Sequence, residues 1–284
     1  MGEQNRLYFR PRTLSETTDT LSRHGGQILS GGTDFFPALG DRPVLTPVVD
    51  ISGVSELRGI SYSDTEIRIG GLTTWTDILR APLPRCFDAL KAAAREVGSI
   101  QIQNRGTVAG NLCNASPAAD GVPPLLALDA EVELASQSEV RRLPVAQFLV
   151  GNRKTRRRGD EVLSAVIVPR SLDDARSVFL KLGSRRYLVI SIVMVAAILD
   201  RDAEGQIKQA RVAVGSCSAV AQRLIELERY LVSVKAERGF TDRISAEHLS
   251  VLSPIDDVRA TADYRRDAAL TLVKRALEAC VEAR

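Results

Sequence analysis

The residues with the types and spacing for chemistry fall in two runs. SGGTDFFP occupies residues 30–37, and NRGTVAGNLCNASPAAD occupies residues 104–120. Each sets glycines beside Ser, Thr, Asn and Asp. Such a backbone turns sharply and aims N–H groups at an anion, because glycine has no Cβ to block close approach. Two loops of this kind in one chain point to an extended, phosphate-bearing ligand held from two sides. No nucleophile–base pair, HExxH or GxSxG run is visible. The chain therefore offers binding and electrostatics, and a bound group must supply the reaction.

The remaining chemistry-bearing residues are sparse. The four cysteines, Cys86, Cys113, Cys217 and Cys280, stand in neither CxxC nor CxH spacing, and the two histidines are His24 and His248. A zinc or iron–sulfur site made by this chain alone is not expected. Disulfides are not expected in a reducing compartment. The 284 residues are 44% hydrophobic and 26% charged, as in a globular protein with a sizeable core. A net charge of +3 is too small to make nucleic acid the main partner. The segment MGEQNRLYFRPR has no apolar signal core, and no apolar stretch reaches the roughly 20 residues of a membrane helix. A cytoplasmic protein is expected.

The elements that must position the two runs alternate between short strands and helices. Thr13-Leu14-Ser15-Glu16 reads as a capping box, opening a helix that stops at Gly25-Gly26. Gln27 to Leu29 reads as a strand feeding the first glycine loop. Thr46 to Ile51, Glu66 to Gly70, Ala130 to Ala135 and Glu161 to Val168 read as further strands. Helices are expected over Thr73 to Arg80, Phe87 to Val97 and Pro123 to Leu128, with Trp75 on an apolar face. PRSLDDAR at residues 169–176 reads as a polar linker. Beyond it, Ser177 to Leu182, Tyr187 to Leu199 and Ile207 to Val214 suit an antiparallel meander of three strands. Helices over Ala221 to Lys235 and Tyr264 to Arg284 complete the pattern.

The order SGGTDFFP, VVDIS, IRIGGLTTWTDI, NRGTVAGNLCNASPAADGVPPLLALDAEV, NRKTRRRGDEVL and FLKLGSRRYLVIS resembles the FAD-binding subunit of molybdenum hydroxylases. That family includes the medium subunit of carbon monoxide dehydrogenase and the flavin domain of xanthine dehydrogenase. The resemblance runs from about residue 5 to the C-terminus. It implies an α+β fold: an FAD-binding domain of two α/β subdomains (PCMH-type) over residues 1–170, and a second domain over 175–284 with the three-stranded sheet and helices. It maps the first flavin loop onto Ser30, Gly31, Gly32, Thr33 and Asp34, and the second onto Thr107, Val108, Ala109, Gly110 and Asn111. It maps a downstream acidic position onto Asp120, an apolar position onto Leu163 and a lysine near the flavin onto Lys181. One departure is Ala109, where the family often has a second glycine; an Ala there would be strained if the backbone needed φ > 0.

The residue types suit these places. Gly31, Gly32 and Gly110 allow backbone N–H groups to approach a pyrophosphate. Ser30, Thr33 and Thr107 add hydroxyl donors, and Asn111 can donate or accept at a ribityl hydroxyl or the flavin edge. Asp120 can accept from a ribose or adenine donor. Each has a plainer reading beside it. Asp34 can cap the helix starting at Phe35, Asp120 can cap the one after Pro123, Lys181 can be solvated and Trp75 can be core. Arg153 to Arg158 holds five positive charges in six positions; it reads as a solvated loop or as a dock for a partner or an anionic acceptor.

The resemblance implies a three-part enzyme. A separate molybdopterin-binding large subunit oxidises substrate, a [2Fe–2S] small subunit relays electrons, and this subunit passes them through FAD to a final acceptor. Two alternatives stay open. One is a self-contained flavin reductase resembling the enolpyruvyl reductase of cell-wall synthesis, which needs a Ser or Glu acid near the C-terminus. The other is an assembly subunit that has lost FAD.

Overall fold

The computed structural model describes residues 8–232 and 234–282. Among the described residues, three sheets of three or more strands succeed one another along it, with a two-stranded hairpin, Leu149–Gly151 and Lys154–Thr155, beside them. The first is parallel, with Val48–Asp50 between Tyr8–Phe9 and Gln27–Leu29. Parallel strands need a crossover, and the helix Leu14–His24 supplies it. Thr13 caps this helix by accepting from the Glu16 N–H at 3.1 Å, and Gly25 ends it with its N–H on the Leu21 carbonyl. The expected capping box is half closed: the Glu16 carboxylate accepts from the Arg12 N–H at 2.7 Å instead.

The second sheet is antiparallel, in the order Ile60–Tyr62, Glu66–Gly70, Val162–Pro169, Glu131–Ala135, Val140–Pro144. Period-two alternation sends Ile67 and Ile69 into the core, while Arg68 on the other face meets Glu133 at 2.8 Å. Trp75, Phe87, Leu90, Leu112 and Leu125, from the helices and the single turn that cover the sheet, bury themselves on that inner face. Val162 and Ala135 also join Leu21, Val49 and Leu57 of the first lobe, so the two lobes share a small core.

The third sheet corrects an expectation. It has four antiparallel strands, Arg176–Leu182, Val193–Arg201, Ile207–Gly215 and Gln222–Arg223, not three. The last is two residues long and pairs with Ala213 and Val214. It takes the start of the segment read as a helix from Ala221 to Lys235, leaving a helix only over Ile225–Leu231. The Arg223 side chain anchors this edge, reaching Glu228, Asp129 and the Leu126 carbonyl. The strand read from Tyr187 begins at Val193, and residues 187–192 form a loop. The last helix runs Ala262–Glu282; the expected end at Arg284 lies outside the described residues.

The near-continuous apolar run in Val193–Arg201 has a packing reason. Val193, Val195, Ala197 and Leu199 face the last helices, while Met194, Ala196 and Ile198 face the core of the second lobe. A strand covered on both faces has no solvent side to make polar.

Beside the central strand Val162–Pro169 sits the carboxylate of Glu161, with a fully buried side chain. It accepts from Arg141 Nε at 2.5 Å, Arg141 Nη2 at 2.9 Å and the Arg158 N–H at 2.7 Å. Burial pushes its pKa up, but the Arg141 bonds and the Arg158 N–H outweigh burial and hold it below the ordinary value. A depressed carboxylate pKa stabilises the fold above the unfolded value, and that contribution is lost as pH falls through the folded one. Glu161→Gln is expected to lower unfolding free energy by about 3 kcal/mol at neutral pH, since it strands Arg141. Urea titrations at neutral and acid pH check this: the gap to the native chain should shrink on acidification, and a pH-independent gap would contradict the ion-pair account.

Candidate functional site

The two glycine runs meet. The carbonyl oxygen of Arg105 lies 2.0 Å from where a Cβ on Gly31 would stand, so only glycine lets the first loop rest on the second. Gly32 has φ +76°, the left-handed region that favours glycine. Ser30 Oγ and Thr107 Oγ1 are 3.1 Å apart and share a hydrogen bond between the loops. A cleft of about 1050 Å³ opens along this seam, lined by both loops, by Gln27 and Ile28 of the first sheet, and by Leu188 to Ile190.

The first loop is the open one. Among the described residues, the N–H groups of Gly31, Gly32 and Thr33 make no hydrogen bond to protein, and neither does the Thr33 hydroxyl. Consecutive open N–H groups around a positive-φ glycine form a concavity for an anion. The second loop differs from expectation. Thr107 caps the helix Val108–Asn114, and its Oγ1 accepts the Gly110 N–H at 2.9 Å. That N–H is therefore spent inside the protein. Gly110 and Ala109 are helical, with no positive φ, so the strain considered for Ala109 does not arise.

Asn111 projects from this helix, and its buried Oδ1 has no partner among the described residues. A buried, unpaired acceptor is costly, and a ligand donor in the cleft would satisfy it. An orphaned acceptor, a row of open N–H groups and a cradle that a Cβ would fill together fit a flavin dinucleotide.

Other expected residues have taken on structural partners. Asp34 holds the cap position of Phe35–Leu39 but makes no side-chain cap bond; its Oδ1 accepts from Asn114 Nδ2 at 2.7 Å. Lys181 is not solvated. It is 7% exposed and pairs with Asp120 Oδ2 at 2.6 Å, while Ser191 Oγ donates to Asp120 Oδ1 at 2.5 Å. Asp120 thus does not cap the following helix; it ties the cleft to the third sheet. Burial pushes its carboxyl above the ordinary value, with Lys181 and Ser191 pulling it back. Leu163 is buried on the cleft wall, and its carbonyl is 2.3 Å from a would-be Cβ on Gly71. Trp75 is 1% exposed and belongs to the core, with its ring edge at the cleft.

In the run Arg153 to Arg158, Lys154 and Arg156 are exposed, as a solvated loop would have them, while the other three cations are engaged. Arg158 pairs with Glu139 and Glu161, Arg153 donates to Asn114 Oδ1, and Arg157 Nη1 donates to the carbonyls of Arg158 and Glu161. Reading the sequence missed Ser191 and the partners of this run, because nothing local ties residue 191 to 120 or residue 141 to 161. It also missed Gly121, where a Cβ would strike the Trp75 ring at 2.4 Å.

Removing the cation of the Lys181–Asp120 pair should be severe. Lys181→Met is expected to cost about 3 kcal/mol at neutral pH, because it leaves a buried carboxylate alone. A raised folded pKa favours the fold below the unfolded value, and that advantage is lost as pH rises through the folded one. The deficit should therefore grow between acid and neutral pH, the opposite trend to Glu161→Gln, in denaturation followed by Trp75 fluorescence. A deficit independent of pH would point to lost packing alone.

Comparison with known proteins covers nearly the whole chain. The model of the FAD binding domain in molybdopterin dehydrogenase matches residues 3–171, and that of the CO dehydrogenase flavoprotein C-terminal domain matches 179–280. A putative xanthine dehydrogenase FAD-binding subunit of Escherichia coli (strain K12) is 31% identical over 97% of this chain and 96% of its own length. The nicotinate dehydrogenase FAD-subunit of Eubacterium barkeri is 38% identical over 66% of each. In structure, the chain is similar to one of quinoline 2-oxidoreductase from Pseudomonas putida 86, with a TM-score of 0.89 and 27% identity, covering 100% of this chain and 99% of that one. A chain of carbon monoxide dehydrogenase from Hydrogenophaga pseudoflava gives 0.88 and 26%, covering 99% of each. Two family models that together span nearly the whole chain, and a relative 31% identical over almost its full length, show that the chain belongs to the family of FAD-binding subunits of molybdenum hydroxylases.

Proposed function

We propose that this chain binds one FAD non-covalently and, docked to two other polypeptides, passes electrons from a [2Fe–2S] subunit to a final acceptor. The observation that carries the reading is the row of open N–H groups at Gly31, Gly32 and Thr33, on the wall of a cleft of about 1050 Å³. Bound FAD would supply the redox chemistry.

The chain's own residues bind and orient. The N–H row would take phosphate oxygens, with Thr33 adding a hydroxyl donor. Asn111 Oδ1 would accept from a ribityl hydroxyl or the flavin edge. Leu163 and the segment Leu188 to Ile190 would exclude water from the ring. Asp120 and Lys181 hold the floor of the cleft against the third sheet. The division into a flavin domain over 1–170 and a second domain over 175–284 belongs to the same reading. The partner chains are a molybdopterin-binding large subunit and a [2Fe–2S] small subunit. The family membership supports them, as do four cysteines whose thiols are buried or half-buried and too scattered to hold a cluster. The open N–H row disfavours a subunit that has lost FAD. Among the described residues, no helix is long and apolar enough to cross a membrane.

Acid precipitation of the yellow protein, followed by chromatography of the supernatant, tests the cofactor. FAD free in solution is expected; flavin held in the pellet, or FMN as the released species, would overturn the reading. The isolated chain should show no hydroxylase activity and at most a slow dye-linked oxidation of NADH. Hydroxylation by the chain alone, assayed with an artificial acceptor, would refute the three-part assignment.

A further inference from the structure

The pyrophosphate of a dinucleotide carries two negative charges, and among the described residues the row of consecutive open N–H groups at Gly31, Gly32 and Thr33 is the backbone cradle for it. Thr107 Oγ1 takes the Gly110 N–H, so the second loop has lost a donor expected of it. The cleft wall also carries three carboxylates, Asp34, Glu96 and Asp120. Lys181 is committed to Asp120 and does not line the cleft. An anion entering here needs positive charge from elsewhere.

Among the described residues, the cleft has two cations on its wall, Arg153 and Arg157. Both come from the hairpin of Leu149–Gly151 and Lys154–Thr155 and its exit. Arg153 sits at the hairpin tip with φ +58°, its N–H on the Ala115 carbonyl at 2.9 Å. Its guanidinium donates to Asn114 Oδ1, and Asn114 Nδ2 donates to Asp34. That chain fastens the hairpin to the first glycine loop across the mouth of the cleft.

Arg157 is the less exposed of the two cations, and its guanidinium is held from one nitrogen. Its Nη1 donates to the carbonyls of Arg158 at 2.9 Å and Glu161 at 2.6 Å, both neutral acceptors. Those bonds fix the plane of the guanidinium, while Nε and Nη2 remain without a partner among the described residues. It has no carboxylate partner among them either. Its charge reaches the cleft wall: burial pushes the Cys113 thiol up to about 11, and Arg157 acts on that thiol in the opposite sense. A fixed guanidinium with two free donors matches phosphate geometry better than an ammonium does.

We infer that Arg157, held in place beside Arg153, is a phosphate-binding residue of the dinucleotide site, supplying the charge that the second glycine loop does not. This rests on the FAD reading and extends it to the basis of preference for FAD over riboflavin. Arg153 is a positioning residue that sets the hairpin.

Titration of the full-length, flavin-stripped chain with FAD and with riboflavin tests it, read by quenching of Trp75, the one tryptophan of the chain. Arg157→Met removes the charge. Arg157→Gln also removes it but keeps donors for the Arg158 and Glu161 carbonyls, so the test survives if the Met variant fails to fold. Either variant should bind FAD about 10-fold more weakly at low salt. It should show a flatter salt dependence than the native chain and bind riboflavin unchanged. A folded variant that binds FAD like the native chain at both low and high salt overturns the role of Arg157 while the FAD reading stands. Equal weakening toward riboflavin overturns it too, since the effect is then not on phosphate. A native chain that binds no FAD overturns both.

Discussion

The site hangs on one close approach, the Arg105 carbonyl against the backbone of Gly31. With 2.0 Å between that oxygen and a would-be Cβ, the two loops can stack only while position 31 is glycine. The stacking brings Ser30 to Thr107 and sets the seam along which the cleft opens. It also explains why the first loop can keep its N–H groups open. Its neighbours satisfy their polar groups elsewhere: the Thr107 hydroxyl caps a helix and Asp34 accepts from Asn114. A strained or unsatisfied backbone is tolerated where the surrounding structure fixes it.

A second constraint joins the C-terminal half to that seam. The buried pair Lys181–Asp120 links a strand of the third sheet to the loop after the second glycine run, and Ser191 completes it from the segment bordering the cleft. Buried ion pairs add little net stability, but breaking one is costly. Their use here is geometric: the sheet cannot slide over the cleft without stranding a charge. Arg265 acts alongside, donating from the last helix to the carbonyls of Ile192 and Ser216, which closes the far end of the same segment. The cleft is thus framed by three sheets, with the first glycine loop following a strand of the first sheet and the second opening a helix packed on the second.

Much of the architecture was legible in the residues themselves. The glycine runs and the alternation of Glu66–Gly70 depend on local backbone preference and on period-two burial, and both are written in neighbouring residues. The two-residue strand Gln222–Arg223 was not legible, because it exists only through pairing with Ala213 and Val214 and through Arg223 reaching Asp129 and Glu228. Nor was the late start of the strand at Val193, since Tyr187, Leu188 and Ile190 are as apolar as strand residues yet lie half exposed beside the cleft.

The sequence by itself determined which segments could approach an anion and where sharp turns were possible, because glycine's freedom is a property of the residue. It also determined that the stretch up to Leu199 would be a strongly apolar strand, because its run of Val, Met, Ala, Ile and Leu offers no polar face. Only the tertiary structure decided which polar groups remained available. Gly110 has the composition of a phosphate contact, but a side chain three residues earlier took its N–H. Lys181 has the type of a solvated cation, but a carboxylate distant in sequence holds it in the interior. Arg157 lies in a run that reads as solvent-facing charge, yet it faces the cleft. Hydrogen-bond satisfaction and charge pairing act across the whole fold, so no local pattern could have assigned them.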